Sequence, residues 1–182
     1  MKAIVYENYG SPDELQLKDI AKPAPTENEL LIRIKASSIN SRDWRLLRAS
    51  PFVVRLMGQG LLKPKNPILG ADVAGVVEAA GRDVKQFQPG DEVYGYLSLE
   101  HGGAYAEYLC AAEKILAPKP ANLIYEQAAA VPLAALTALQ GLRDYGKIQA
   151  GQKVLIQGGS GGVGTFGVQL AKAFDTEVTA VC

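Results

Sequence analysis

Gly159-Ser160-Gly161-Gly162-Val163-Gly164 has the spacing G-x-G-x-x-G and follows directly on the apolar run VLIQ. Residues without side chains at that spacing suit the diphosphate of a dinucleotide. Gly159 is expected to let the chain turn sharply off a strand. Gly161 would let a diphosphate approach the backbone, and Gly164 would let the next helix lie close to that strand. Val163, Phe166, Leu170 and Phe174 recur three and four residues apart, which predicts an apolar helical stripe facing a sheet. The first N–H groups of that helix, with roughly half a positive charge from its dipole, would face the phosphates. An NTPase-type loop needs Lys after its last glycine, and Thr165 stands there instead. Glycine-rich loops also occur without ligands. The motif therefore takes its meaning from its setting: a strand before it, an amphipathic helix after it and a second strand beyond.

Units of this kind hold the ribose of NAD with a carboxylate some 20 residues on, at the end of the second strand. Cys182 occupies that region, and Glu177 opens the strand rather than closing it. With no carboxylate there to repel a 2′-phosphate, the pattern favours NADPH over NADH.

The elements that must position these residues can be read outward from the motif. GQKVLIQ predicts a strand, GVGTFGVQLAKAF a helix and TEVTAVC a second strand, together one βαβ unit. Before it, YEQAAAVPLAALTALQGLRDYG predicts two helices parted near Pro132, the second closing at Gly146. Earlier still the chain is β-rich. ELLIRIKAS alternates Ile32, Ile34 and Ala36 against Arg33 and Lys35, and ADVAGVVEAAG, DEVYGYL, AYAEYLCA and KILAP read as further strands. Pro89-Gly90 marks a turn, and NSRDWRLLRA predicts a helix over residues 40–49. The expected architecture is a β-rich barrel over 1–120 and the start of an α/β unit over 121–182.

The chain has 182 residues, with 19 Lys+Arg balanced by 19 Asp+Glu. Zero net charge and no basic run argue against nucleic acid or an anionic membrane as partner. The 48% hydrophobic content predicts a sizeable core, and no apolar run is long enough to span a bilayer. Two scattered cysteines, Cys110 and Cys182, give no disulfide framework, so a reducing, cytoplasmic setting is expected.

Taken together, GADVAGVVEAAG, QPGDEVYG, GGAYAEYL, VPLAALTAL and VLIQGGSGGVGTFGVQLAK resemble the medium-chain dehydrogenase/reductase superfamily, and more narrowly its zinc-free quinone oxidoreductase-like branch. The resemblance implies a GroES-like catalytic domain followed by a Rossmann domain, here an incomplete parallel sheet. It implies an NADPH-dependent oxidoreductase that transfers hydride to quinones or α,β-unsaturated carbonyls. A non-catalytic nucleotide-binding member of the fold is the alternative. A zinc alcohol dehydrogenase is disfavoured: Ala71 stands where zinc relatives have His, and Ser37 to Trp44 contains no cysteine. His101 is expected to be an exposed loop residue.

By the same resemblance, Asn40 lies near nicotinamide and substrate, where its amide could donate to a substrate oxygen. As a helix N-cap it has a structural role open to it as well. Thr137 matches a threonine at the nicotinamide, although a lone hydroxyl in such a helix can bond back to the preceding turn. Asp43 and Trp44 are expected in helix-end or core roles, and Tyr105 and Tyr108 in strand packing. A homodimer is expected, since an unfinished parallel sheet is expected to dimerise or aggregate to cover its bare surface. The 182-residue piece by itself is expected to expose Rossmann surface, to bind NADPH weakly or not at all, and to show no turnover.

Overall fold

The computed structural model describes residues 1–56, 60–98 and 103–182. His101 lies outside the described residues. Two compact units divide the chain, Met1–Ala130 and Val131–Cys182. The division falls beyond the 120/121 boundary expected from composition. The reason is helix α2 (Tyr125–Ala129), whose Ala128 and Ala129 bury themselves against Ala74 of the first unit.

The first unit is built on a five-stranded antiparallel sheet in the order β6-β3-β4-β5-β7. These strands are β3 (Glu29–Ala36), β4 (Asp72–Ala80), β5 (Glu92–Tyr96), β6 (Tyr108–Ala112) and β7 (Leu116–Pro118). A separate hairpin pairs β1 (Lys2–Val5) with β2 (Gln16–Asp19). The main core gathers Leu30, Ile32, Val73, Val77, Val93 and Leu109, all nearly inaccessible to solvent. Each such side chain stabilises the fold by about 1.5–3 kcal/mol relative to exposure.

Ile32, Ile34 and Ala36 are less exposed than Arg33 and Lys35, the alternation expected of ELLIRIKAS, while Leu30 and Leu31 before them are both buried, where the register with β4 shifts between Leu31 and Ile32. A bulge of this kind turns successive side chains to one side. The Pro89-Gly90 turn forms as expected, with Gly90 at φ +99°.

Helix α1 (Ser41–Arg48) starts and stops for identifiable reasons. Asn40 is its N-cap, Asp43 sits in the positive first turn, and Arg45 and Arg48 occupy the last turn. Ala49, in the left-handed region at φ 46°, ends it. Leu46 and Leu47 are its buried side and join Tyr6 and Leu69 in a second core cluster.

In the second unit, Pro132 opens α3 (Pro132–Leu139), where its missing N–H costs nothing. A wider π-type turn, Gln140–Tyr145, extends it to Gly146. Strand β8 (Lys153–Gln157), helix α4 (Gly162–Ala173) and β9 (Glu177–Val181) follow, and β8 and β9 pair in parallel.

Candidate functional site

Residues 158–161 form the bend between β8 and α4. The sharp turn belongs to Gly158, at φ +75°, and not to Gly159 as the motif spacing suggested. Gly159 needs its missing side chain for another reason: a Cβ there would lie 2.8 Å from the Ala180 Cβ on β9. The N–H groups of Gly158 and Gly159 both donate to the Val181 carbonyl, at 2.9 and 2.8 Å. The bend is thereby tied to the end of the parallel neighbour. A Cβ on Gly164 would fall 2.0 Å from the Gly158 carbonyl oxygen, so the first turn of α4 rests directly on the bend.

The stripe of α4 that packs inward is Gly164, Gly167 and Ala171. Val163 is 43% exposed, so it does not belong to the buried stripe expected for it. Small residues face the sheet because the helix lies close: a Cβ on Gly167 would already touch Ile156 at 3.4 Å.

The helix is capped by Gly161, which has no side chain to occupy the first N–H groups. Its first described bond back along the helix is from Thr165 N–H to the Gly161 carbonyl, 2.9 Å. The N–H groups of Gly162, Val163 and Gly164 precede that bond, at the positive end of the helix. Exposed Ser160 and Gly162 leave this end open, and nothing lies within 4 Å of a Cβ on Gly162. A glycine-rich bend beneath a helix N-terminus fits a dinucleotide diphosphate. Glu177 lies at the far end of β9 from this bend and faces Lys153 at 3.7 Å.

Thr137 is exposed on α3, and its Oγ1 donates to the Leu133 carbonyl at 2.7 Å. This is the back-bond open to a hydroxyl within a helix.

In the first unit, two buried carboxylates organise a polar cluster that the sequence did not announce. Asp72, 1% exposed, accepts from Ser38 Oγ at 2.5 Å and from Asn40 Nδ2 at 2.8 Å. Asn40 Nδ2 also donates to Ser38 Oγ at 2.9 Å, and Ser37 Oγ donates to the Asp72 carbonyl at 2.7 Å. Asp43, 3% exposed, accepts from the Asn40 N–H at 2.7 Å, the Gly70 N–H at 3.2 Å and the Tyr105 hydroxyl at 3.0 Å. Burial, reinforced by Asp43, holds the Tyr105 phenol far above its ordinary range. Tyr105 is thus more than a packing residue, since it carries one of the donors that satisfy a buried charge. Tyr108 lies on β6 beneath Lys22, whose Nζ is 3.8 Å from the ring centre.

Asn40 is the N-cap by position, but its side chain turns to Asp72 and Ser38. Asp43 supplies the side-chain bond at this helix end. Trp44 is half exposed, with Arg45 and Arg48 guanidinium groups 5.5 and 5.9 Å from its ring centre. It is no core residue.

Ala71 is completely buried and offers a methyl group where a metal would need a lone pair. Among the described residues, no three His, Cys, Asp or Glu side chains are grouped as metal ligands.

An antiparallel-sheet first unit followed by a βαβ second unit with a glycine-rich bend is the fold pattern of the medium-chain dehydrogenase/reductase class. Residues 26–121, more than half of the chain, match the alcohol dehydrogenase GroES-like domain. The chain belongs to that family, in the quinone-oxidoreductase-like branch of the medium-chain dehydrogenase/reductase superfamily. It is 40% identical over 193 residues to a quinone-oxidoreductase homolog, chloroplastic, of Spinacia oleracea, covering 100% of this chain and 55% of that protein. It is 40% identical over 181 residues to the 2-methylene-furan-3-one reductase of Solanum lycopersicum, covering 94% and 44%. Among solved structures, the quinone oxidoreductase from Coxiella burnetii is similar at 37% identity and a TM-score of 0.89, covering 100% of this chain and 56% of that one. The chain spans about half the length of the curated relatives it matches.

Proposed function

We propose that the protein carrying these two units is an NADPH-dependent oxidoreductase that reduces quinones or α,β-unsaturated carbonyls without zinc. The observation that carries this reading is the bend at Gly158–Gly161, held under the N-terminus of α4 and tied to β9. Gly159, Ser160, Gly161, Gly162, Val163 and Gly164 would hold the diphosphate through backbone N–H groups, and Thr137 and Asn40 would contact the nicotinamide end. NADPH rather than NADH as the nucleotide belongs to the same proposal.

When bound, the dinucleotide supplies hydride. The chain's own contribution is binding and orientation in a dry site. Electron-poor acceptors suit such a site, because they need no metal to polarise them. Relatives named as quinone oxidoreductase and furanone reductase are consistent with that substrate class.

The free cysteines Cys110 and Cys182 suit a reducing compartment. No helix among the described residues is long and apolar enough to cross a membrane. Assembly as a homodimer and a cytoplasmic location belong to the same proposal.

Mixing the purified protein with NADPH and either a quinone or an enone tests it. Consumption of NADPH that depends on the acceptor supports the reading. Binding of NADPH without turnover of either acceptor would favour a non-catalytic nucleotide-binding protein.

A further inference from the structure

Five exposed apolar side chains of the first unit fall within one stretch: Phe52, Val53, Leu56, Leu61 and Leu62. The stretch has an inner and an outer side. Val54 turns inward and packs on the cluster of Tyr6, Leu46, Leu47 and Leu69. Half-buried Arg55 has its guanidinium 4.7 Å from the Tyr9 ring centre and 5.4 Å from that of Phe52, and it donates to the Leu61 carbonyl at 3.4 Å. The Tyr9 hydroxyl donates to the Gly60 carbonyl at 2.7 Å. These ties hold residues 52–56 and 60–61 together, yet leave Phe52 60% and Leu62 83% exposed. The charge around them is of one sign. No Asp or Glu occurs from Trp44 to Ala71, whereas Arg45, Arg48, Lys63 and Lys65 in that span are all exposed. Arg45 and Arg48 flank the half-exposed Trp44, and Arg48 lies four residues before Phe52. Glu7, near enough to feel the Lys63 charge, is paired with Lys18 at 2.5 Å.

From this we infer that residues 44–56 and 60–65 form a docking surface for an anionic lipid bilayer. Phe52, Leu56, Leu61 and Leu62 enter the interfacial layer, and Arg45, Arg48, Lys63 and Lys65 meet the lipid phosphates. Burial of exposed apolar side chains in that layer is favourable, and each basic group near an anionic surface adds about fivefold in affinity. Trp44 contributes an indole, a ring that settles at the level of the headgroups. Apolar side chains beside charge of a single sign suit lipid better than a second copy of this chain, since two such surfaces face to face would set like charges together. The zero net charge, which argued against an anionic membrane, is an average: the carboxylates that balance these cations lie elsewhere in the chain. The inference is independent of the proposed activity, which it places next to acceptors that dissolve in lipid.

Trp44 is the single tryptophan, so its fluorescence reports docking directly. The 182-residue chain is titrated with vesicles of phosphatidylcholine, alone or with about 30% phosphatidylserine, with no nucleotide or acceptor present. The expected result is a blue shift of Trp44 emission and co-flotation with the phosphatidylserine vesicles only, weakened at least about tenfold in about 0.5 M salt. Leu61→Ser with Leu62→Ser, and separately Lys63→Glu with Lys65→Glu, should each weaken binding at least about tenfold while the circular dichroism stays unchanged. Lys114→Glu with Lys172→Glu, at exposed positions outside the patch, should leave binding as it was. The inference is overturned by binding to neither vesicle, by equal binding to both, by unchanged binding in either patch variant, or by equal losses in the two charge-reversed proteins. A lipid-free dimer that Leu61→Ser with Leu62→Ser dissolves would assign the patch to a second copy and overturn it as well.

Discussion

Gly164 sits so close to Gly158 that a Cβ on the first would lie 2.0 Å from the carbonyl oxygen of the second. This contact fixes the height of α4 above the end of β8, and with it the position of the first N–H groups of the helix. Gly164→Ala is expected to destabilise the second unit by about 1–3 kcal/mol through overpacking. Gly162→Ala, with nothing within 4 Å of its Cβ, should leave stability unchanged within about 0.5 kcal/mol. Urea unfolding of the two variants side by side checks this, and equal midpoints would contradict the close approach.

Asp43 satisfies three donors from separate parts of the chain: the Asn40 and Gly70 N–H groups and the Tyr105 hydroxyl. Asp43→Ala leaves all three without that acceptor in a buried setting, and a loss of about 3 kcal/mol is expected. Tyr105→Phe removes one neutral donor and should cost about 1 kcal/mol. Chemical denaturation would show the difference. A smaller loss for Asp43→Ala than for Tyr105→Phe would mean that the carboxylate does not organise the cluster.

Alkaline pH offers a separate test. Burial, then Tyr9 and then Asp43, push the Tyr6 phenol up from 10.0 to about 12. The unfolded chain releases this proton first, so the folded state holds more protons over that window. The stabilisation tied to the neutral phenol is fully present below pH 10 and is lost as pH rises from 10 towards 12. Unfolding free energy measured across this range should fall, and Tyr6→Phe should make the fall shallower. Identical slopes for the two proteins would contradict the shift.

Residues 153–182 were the most legible part of the fold, because the strand, glycine bend and helix are contiguous in sequence and each has its own period. The spacing alone, however, assigned the turn to Gly159. The φ of Gly158 and the contact of Gly159 with Ala180 depend on where β9 lies, and no local pattern records that. On α4, hydrophobicity points to Val163, Phe166, Leu170 and Phe174; of these Val163 is exposed and the other three half-buried, while the fully buried positions are Gly164, Gly167 and Ala171.

The polar cluster of the first unit was harder still to read. Ser38 and Asp72 lie 34 positions apart, and Asp43 and Tyr105 lie 62 apart. The signal available was a carboxylate at the head of an otherwise apolar strand, a charge that burial obliges to find partners.

The central claim is that backbone N–H groups at the start of α4 grip a dinucleotide diphosphate. The most direct measurement is a titration of the nitrogen-15-labelled chain with NADPH up to millimolar concentration, followed through backbone amide signals. The expected result is progressive shifts largest at Gly161, Gly162, Val163 and Gly164, even if binding is weak. Signals from these four residues that stay fixed throughout, or shifts that concentrate elsewhere, would contradict it.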